Sequence, residues 1–346
     1  MQRTAERLAT ASFGDAQHRA RHNRSSSIAH GRENSGRITA MLRATVFLAA
    51  LSVFGQTSAP KPTPTIQDMP YGTHPKQKID FYKAASDRPT PLVVFIHGGG
   101  WMNGTKSNVT SLERLLAAGI SVASVEYRFI QDAMEAGIQP PVKAPLHDAA
   151  RAIQTLRAKA SELNFDKNRV AYMGGSAGAC TSLWLALHDD LADRTSSDPI
   201  ARESTKPTFI AVTGAQTSLD PQQVRGWIPN MAYAGHAFGF RAEGRARPEE
   251  FQLAIEHRGR LLHWIREYSP YEHASKGDPV IYLDYPNQKE PVENGIVQKD
   301  PTHSAILGQN MAWRLKQVGV EVYLNYPAKP AAQTSALDYV LSRFGK

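Results

Sequence analysis

One cysteine, Cys180, is all that the 346 residues contain, which excludes an internal disulfide and leaves any exported form to rely on its hydrophobic core. Long apolar runs are also missing. The stretch from Ala44 to Phe54 is too short for the roughly 18 residues that span a bilayer, so stable membrane insertion is not expected. No internal repeat is visible, which argues against a solenoid or propeller. Acidic residues fall short of basic ones, 32 against 40, for a formal charge of +8. That excess is uneven, because residues 1 to 43 hold eight arginines against Glu6, Asp15 and Glu33. The small remaining excess is spread over the rest of the chain, a pattern of solvated surface rather than of an anion-binding patch, and nucleic acid is not expected as a partner.

The segment 1–40, rich in Arg, Ser, Ala and His and without helical or strand period, reads as a disordered basic extension. Residues 41–59 follow the layout of a signal peptide: Met41-Leu42-Arg43, the apolar run, then the small residues Gly55, Ser58 and Ala59. This predicts export to a periplasm or the medium from a start at Met41, with an arginine-rich targeting extension as the competing explanation and an ordinary buried helix as the plainer one. Residues 60–77 carry Pro60, Pro62, Pro64, Pro70 and Pro75 and read as a proline-rich linker into a domain over 78–346.

Within 78–346, short β-rich apolar runs alternate with helical patterns, which predicts an α/β fold: a doubly wound, mainly parallel sheet covered by helices. Strands are expected at Leu92 to His97, Ile120 to Glu126, Arg169 to Met173, Phe209 to Thr213, Val280 to Asp284 and Val320 to Tyr323. Helices are expected at Leu146 to Ala160 and Ala305 to Val318, each with an apolar stripe. From about Gly214 to Pro279 the alternation lapses. This stretch, with Trp227, Phe238, Phe240 and Trp264, reads as an elaborated connection that either walls a pocket or simply buries its aromatic residues.

Two motifs carry chemistry. Val170 to Gly178 reads VAYMGGSAG, a strand running into Gly174-Gly175-Ser176-Ala177-Gly178 and then into a helical run. Glycines two before and two after a serine permit a turn tight enough to strain its backbone and lift its hydroxyl above a sheet, the setting of a nucleophile. The second motif, Phe95-Ile96-His97-Gly98-Gly99-Gly100-Trp101, follows an apolar strand. Its glycines can bare the N–H groups of Gly98 and Gly99, which with the N–H of Ala177 would form an oxyanion hole. His97 reads as a residue that shapes this loop rather than as a base, and Cys180 as a small core residue.

The HGGGW and GGSAGA stretches resemble those of the hormone-sensitive-lipase-like carboxylesterases of the α/β-hydrolase superfamily. So do Ile79-Asp80-Phe81-Tyr82, Val125-Glu126-Tyr127-Arg128 and His147-Asp148-Ala149-Ala150-Arg151. The similarity is close from Lys78 to Ala186 and loose beyond. It implies the α/β-hydrolase fold with a sheet of about eight strands, hydrolysis of a small carboxylic ester through an acyl-enzyme on Ser176, and no metal or organic cofactor. It further implies an acid after the seventh strand and a histidine after the eighth.

That last expectation meets a chain whose final histidine is His303; after the strand from Val320 the sequence reads YPAKPAAQTSALDYV. A serine without a base is a poor nucleophile at neutral pH. His303, beside Asp300 in KDPTHSA, is the foremost substitute base, although the same position suits an ordinary helix-start or surface histidine. Asp284, Glu293 and Asp300 remain open as the acid. Three functions follow: a serine esterase with a displaced base, a catalytically impaired binding module on the same fold, or a different acyl hydrolase such as an amidase or formamidase. A histidine ring within hydrogen-bond reach of Ser176 separates the enzymes from the binding module.

Overall fold

The computed structural model describes residues 61–241 and 247–345. The expected basic extension and signal peptide lie outside these residues. Among the described residues no helix is long and apolar enough to cross a membrane.

The chain builds one eight-stranded sheet in the order β1-β2-β4-β3-β5-β6-β7-β8. Its strands are β1 (Ile66–Pro70), β2 (Lys78–Tyr82), β3 (Thr90–Ile96), β4 (Ser121–Val125), β5 (Phe165–Gly175), β6 (Phe209–Thr213), β7 (Val280–Asp284) and β8 (Val322–Asn325). The pairings β1 with β2 and β2 with β4 are antiparallel. All the others are parallel.

A parallel sheet needs helices on both faces, so its strands are apolar on both sides. β3 shows this directly: all seven of its residues, TPLVVFI, are buried. Leu92, Val94 and Ile96 enter one core, and Val93 and Phe95 enter the other. The larger core is closed by α1 (Lys143–Ala158), α2 (Ala177–Leu187), α3 (Pro221–Trp227) and α4 (Ala305–Gln317), the smaller by α5 (Ala336–Phe344) and the short helix Leu112–Ala117. β3 lies between β4 and β5, so the winding direction changes there. The loops leaving the carboxyl ends of β3 and β5 part at that point and leave a crevice between them.

The residues expected to be linker, 60–77, contain the edge strand β1, which pairs Ile66 with Phe81 and Met69 with Ile79. Proline is tolerated at an edge because one side of that strand needs no ladder donor, and this is why the segment reads as linker in sequence. The last strand begins two residues later than expected, at Val322.

The resembling segments outside the glycine motifs are braces. Asp148 receives both the Nε and a terminal N–H of Arg128, at 2.9 and 2.7 Å, together with the Arg128 backbone N–H and the Gln77 amide. His147, next to it, faces the other way among Trp184 and Tyr268, and its Nε2 has no hydrogen-bond partner among the described residues. Burial, followed by the charge of Lys143, pushes its pKa down to about 4. The folded protein therefore keeps this ring neutral where an unfolded chain protonates it. Stability is expected to fall as the pH drops from about 6.5 to about 4, with this ring contributing on the order of 2 kcal/mol after allowance for partial exposure. Urea unfolding across that range should show a shallower acid slope for His147→Leu than for the wild type; identical slopes would contradict the assignment.

Candidate active site

The turn after β5 is forced by two close approaches. A Cβ on Gly174 would lie 2.6 Å from the Ile96 carbonyl oxygen, and one on Gly178 would collide with the same oxygen. With those side chains absent, the first turn of α2 sits against the end of β3. Ser176 between them adopts φ 53° and ψ −123°, a strained conformation for a residue with a Cβ. Its backbone N–H is held by Thr213 O at 3.0 Å at the end of β6.

The glycine loop leaves β3 alongside. Gly98 packs directly on the elbow, since a Cβ there would lie 2.7 Å from Gly175 O and 3.3 Å from Ser176 Cβ. Gly99 has φ 108°, and a Cβ on it would collide with Asn103 O, which closes the turn by accepting no side chain at that position. The loop is fastened at its far end by Trp101, fully buried, whose indole N–H donates to Thr181 Oγ1 of α2 at 3.0 Å. The N–H groups of Gly98, Gly99 and Ala177 make no loop or cap hydrogen bond to another described residue, which leaves them available as donors at the crevice.

His97 is buried beneath the loop, with Nε2 2.8 Å from Glu126 Oε1 and Nδ1 2.7 Å from Gly98 O, and its ring stacks on Tyr127. Tyr127 in turn donates its hydroxyl to His97 O at 2.8 Å. Burial works against the charge of Glu126, but the contacts with His97 and with the Lys106 N–H outweigh it and hold the carboxyl below its ordinary range. These contacts fix the loop's shape, and His97 is not among the partners of Ser176.

The residue that does reach the serine is His303. Its Nε2 lies 2.9 Å from Ser176 Oγ, and its Nδ1 lies 2.8 Å from Asp300 Oδ2. Both come from the single loop between β7 and α4. Gly214, at φ 60°, takes the left-handed conformation that turns the chain beside the ring, where a Cβ would stand at ordinary contact distance, 3.4 Å, from His303 Cδ2. Gln216 donates to Thr302 O at 2.7 Å, which fixes the short turn Pro301–His303. The rest of the loop hangs on side-chain amides, those of Gln288 and Gln298 buried and that of Asn230 exposed. Gln288 donates to Gln298 Oε1 at 2.8 Å and accepts the Ala305 N–H at 2.8 Å, and Asn230 exchanges two hydrogen bonds with the Gln298 backbone. Buried polar groups satisfied in this way rigidify a segment that has no sheet ladder of its own.

The other acid candidates lie elsewhere. Asp284, buried at the end of β7, accepts from the Asn325 amide at 2.8 Å and the Ala336 N–H at 3.1 Å, and desolvation raises its pKa above the usual carboxyl value. It thus ties the end of β8 to the start of α5. Glu293 is exposed. Of the two readings of Trp227, Phe238, Phe240 and Trp264, a wall of this pocket or simple packing, the first does not hold for the crevice over Ser176, which none of them lines. That cavity, about 450 Å³, is bounded by Asn103, Asn108, Tyr285 and Asn287 beside the serine and histidine. The connection over 214–279 contributes instead through His236, whose Nε2 is 3.0 Å from Gly100 O. Among the described residues no cluster of His, Cys, Asp or Glu is arranged to hold a metal ion.

The family model BD-FAE matches residues 79–223, which include both glycine motifs. Over that stretch the chain resembles this family, and its eight-stranded sheet has the α/β-hydrolase fold. Over 135 residues this chain is 31% identical to esterase LipC of Mycobacterium tuberculosis, covering 37% of this chain and 30% of that protein. Over 111 residues it is 36% identical to the probable isoprenylcysteine alpha-carbonyl methylesterase ICMEL2 of Arabidopsis thaliana, covering 32% and 25%. The chain thus spans less than a third of the length of these relatives. Its fold matches a truncated carbohydrate esterase from gut microbiota with a TM-score of 0.59 at 16% identity, over 81% of this chain and 95% of that one. It also matches Thermogutta terrifontis esterase 2 phosphonylated by sarin, with a TM-score of 0.57 at 18% identity, over 82% and 94%. The esterase names agree with the resemblance carried by HGGGW and GGSAGA.

The glycine packing predicts a contrast. Gly178→Ala should destabilise the protein by about 3 kcal/mol or more, because backbone must move. Gly259→Ala, in the open on the helix Arg258–Tyr268, should be neutral or stabilising by up to about 1 kcal/mol. Chemical denaturation of both variants checks this.

Proposed function

We propose that this hydrolase cleaves small carboxylic esters through an acyl-enzyme on Ser176. The observation that carries the reading is the contact chain Ser176 Oγ to His303 Nε2 to Asp300, with its 2.9 and 2.8 Å spacings. Nδ1–H donates to Asp300, which leaves Nε2 as the acceptor for the serine proton. Ser176 Oγ attacks the ester carbonyl carbon as its proton passes to His303. The resulting oxyanion faces the N–H groups of Gly98, Gly99 and Ala177. Collapse breaks the bond to the alcohol oxygen, which takes the proton from His303 and leaves. Water then attacks the acyl carbon, giving its proton to His303, and the carboxylic acid departs as Ser176 regains a proton. Apart from Asp300 the residues lining the cavity carry no acidic or permanently charged side chain, which supports an uncharged substrate. The reading as an impaired binding module requires a serine without a base, and a ring at hydrogen-bond distance speaks against it.

Asp300 differs from a buried triad acid. Its side chain is 64% exposed, and that of His303 is 39% exposed, so water screens their interaction. Hydrolysis of p-nitrophenyl acetate should fall by about four orders of magnitude or more in Ser176→Ala and in His303→Ala. Asp300→Asn should lose only about 10-fold to 100-fold, because solvent takes over part of the orienting role. Activity in His303→Ala equal to that of the wild type would overturn the assignment. Export by the segment 41–59 is a separate proposal, supported by its charge and apolar layout; N-terminal sequencing of the protein made in its own cell would reveal removal or retention of that segment.

A further inference from the structure

β5 is 11 residues long, so its two ends stand roughly 30 Å apart. Ser176 follows one end. Near the other, Lys167 and Asn168 meet Arg157 of α1 and Arg194, Arg202 and Glu203 of the connection between α2 and β6, around a concavity of about 490 Å³. In sequence these cations are isolated charges on three separate segments, and the fold gathers them. The connection that brings two of them is firmly built. The buried Gln154 amide donates to the carbonyls of Leu191, Ala201 and Glu203 at 3.3, 3.2 and 3.0 Å. The Asp193 N–H donates to Ala201 O at 2.8 Å, and Asp190 accepts the N–H groups of Ala192 and Thr205 at 3.2 and 2.8 Å. A surface loop pinned in this way holds the backbone of its arginines in fixed places.

Four cations line this concavity against one carboxylate. Glu203 is matched by Lys167, 3.5 Å away, which leaves the three arginines. Among the described residues none of the three has a carboxylate within ion-pair distance. Arg157 is the telling one. It is half-buried, its two terminal nitrogens donate to the carbonyls of Lys167 and Lys206, and its buried Nε has no hydrogen-bond partner among the described residues. A cation withdrawn from water is costly unless a counter-charge meets it. Guanidinium forks pair with the oxygens of a phosphate, and a tetrahedral dianion accepts from several directions at once, whereas a carboxylate offers two oxygens in one plane. We propose that this concavity binds a phosphate group, carried by a soluble phosphate compound or by a lipid headgroup, at a site remote from the crevice over Ser176. The site does not depend on the reaction proposed there.

The test titrates the purified full chain calorimetrically with sodium pyrophosphate and with inorganic phosphate, up to about 10 mM in a buffer free of other multivalent anions. Pyrophosphate is expected to bind, and Arg194→Ala and Arg202→Ala, both at exposed positions, should each weaken it about tenfold or more. Arg194→Lys, which keeps the charge and loses the fork, should recover only part of the affinity. Thermal unfolding and the rate on p-nitrophenyl acetate should stay at the wild-type values in all three. Co-sedimentation with vesicles of phosphatidylglycerol, but not of phosphatidylcholine, would assign the phosphate to a lipid headgroup; pyrophosphate binding without co-sedimentation would assign it to a soluble compound. Neither pyrophosphate binding nor co-sedimentation overturns the proposal. So does pyrophosphate binding that is unchanged when both arginines are replaced by alanine, or that sodium chloride of equal ionic strength abolishes, since that is charge screening without a site.

Discussion

Two missing side chains, at Gly174 and Gly178, let the first turn of α2 rest against the Ile96 carbonyl at the end of β3, and the site depends on that approach. It holds Ser176 in its strained conformation and brings the serine within reach of the glycine loop leaving the neighbouring strand. The strain is tolerated because everything around it is fixed: Thr213 O on the Ser176 N–H, Trp101 on Thr181, and the His97, Glu126 and Tyr127 cluster under the loop. A conformation that costs on the order of 1–3 kcal/mol persists only where its surroundings over-determine it.

The histidine obeys a looser constraint. Any loop that leaves the carboxyl edge of the sheet near β5 can deliver a ring to the serine, so geometry rather than chain position defines the role. Here the loop after β7 supplies both His303 and Asp300. The end of β8 is committed to structure, with Asn325 bridging Asp284, Thr334 and Ala331. Placing Asp300 and His303 three residues apart on one turn keeps them together but leaves both near solvent. Rigidity that a buried triad draws from its core is drawn here from the amides of Gln288, Gln298 and Asn230.

How much of this the sequence revealed follows from the range of the interactions involved. The central parallel strands were legible because burial on both faces leaves continuous apolar runs, as in β3 and β6. The elbow was legible because its glycines are local to the serine. β1 was not, since an edge strand with Pro70 at its end looks like linker. His303 was nameable as a candidate, but its distance to Ser176 depends on Gln216, in a distant stretch of chain, and on the amides of Gln298 and Gln288 within its own loop. Three carboxylates were equally eligible as the acid because nothing local distinguishes a strand-end aspartate that caps α5, such as Asp284, from one that faces an imidazole.

The account stands on Ser176 being made nucleophilic by His303. Its most direct measurement is the rate of covalent modification by a fluorophosphonate, with the modified residue located by peptide mass spectrometry. The account predicts rapid labelling confined to Ser176 in the wild type and labelling slowed by several orders of magnitude in His303→Ala. Labelling of Ser176 at the same rate without His303, or no labelling of Ser176 in the wild type, would contradict it.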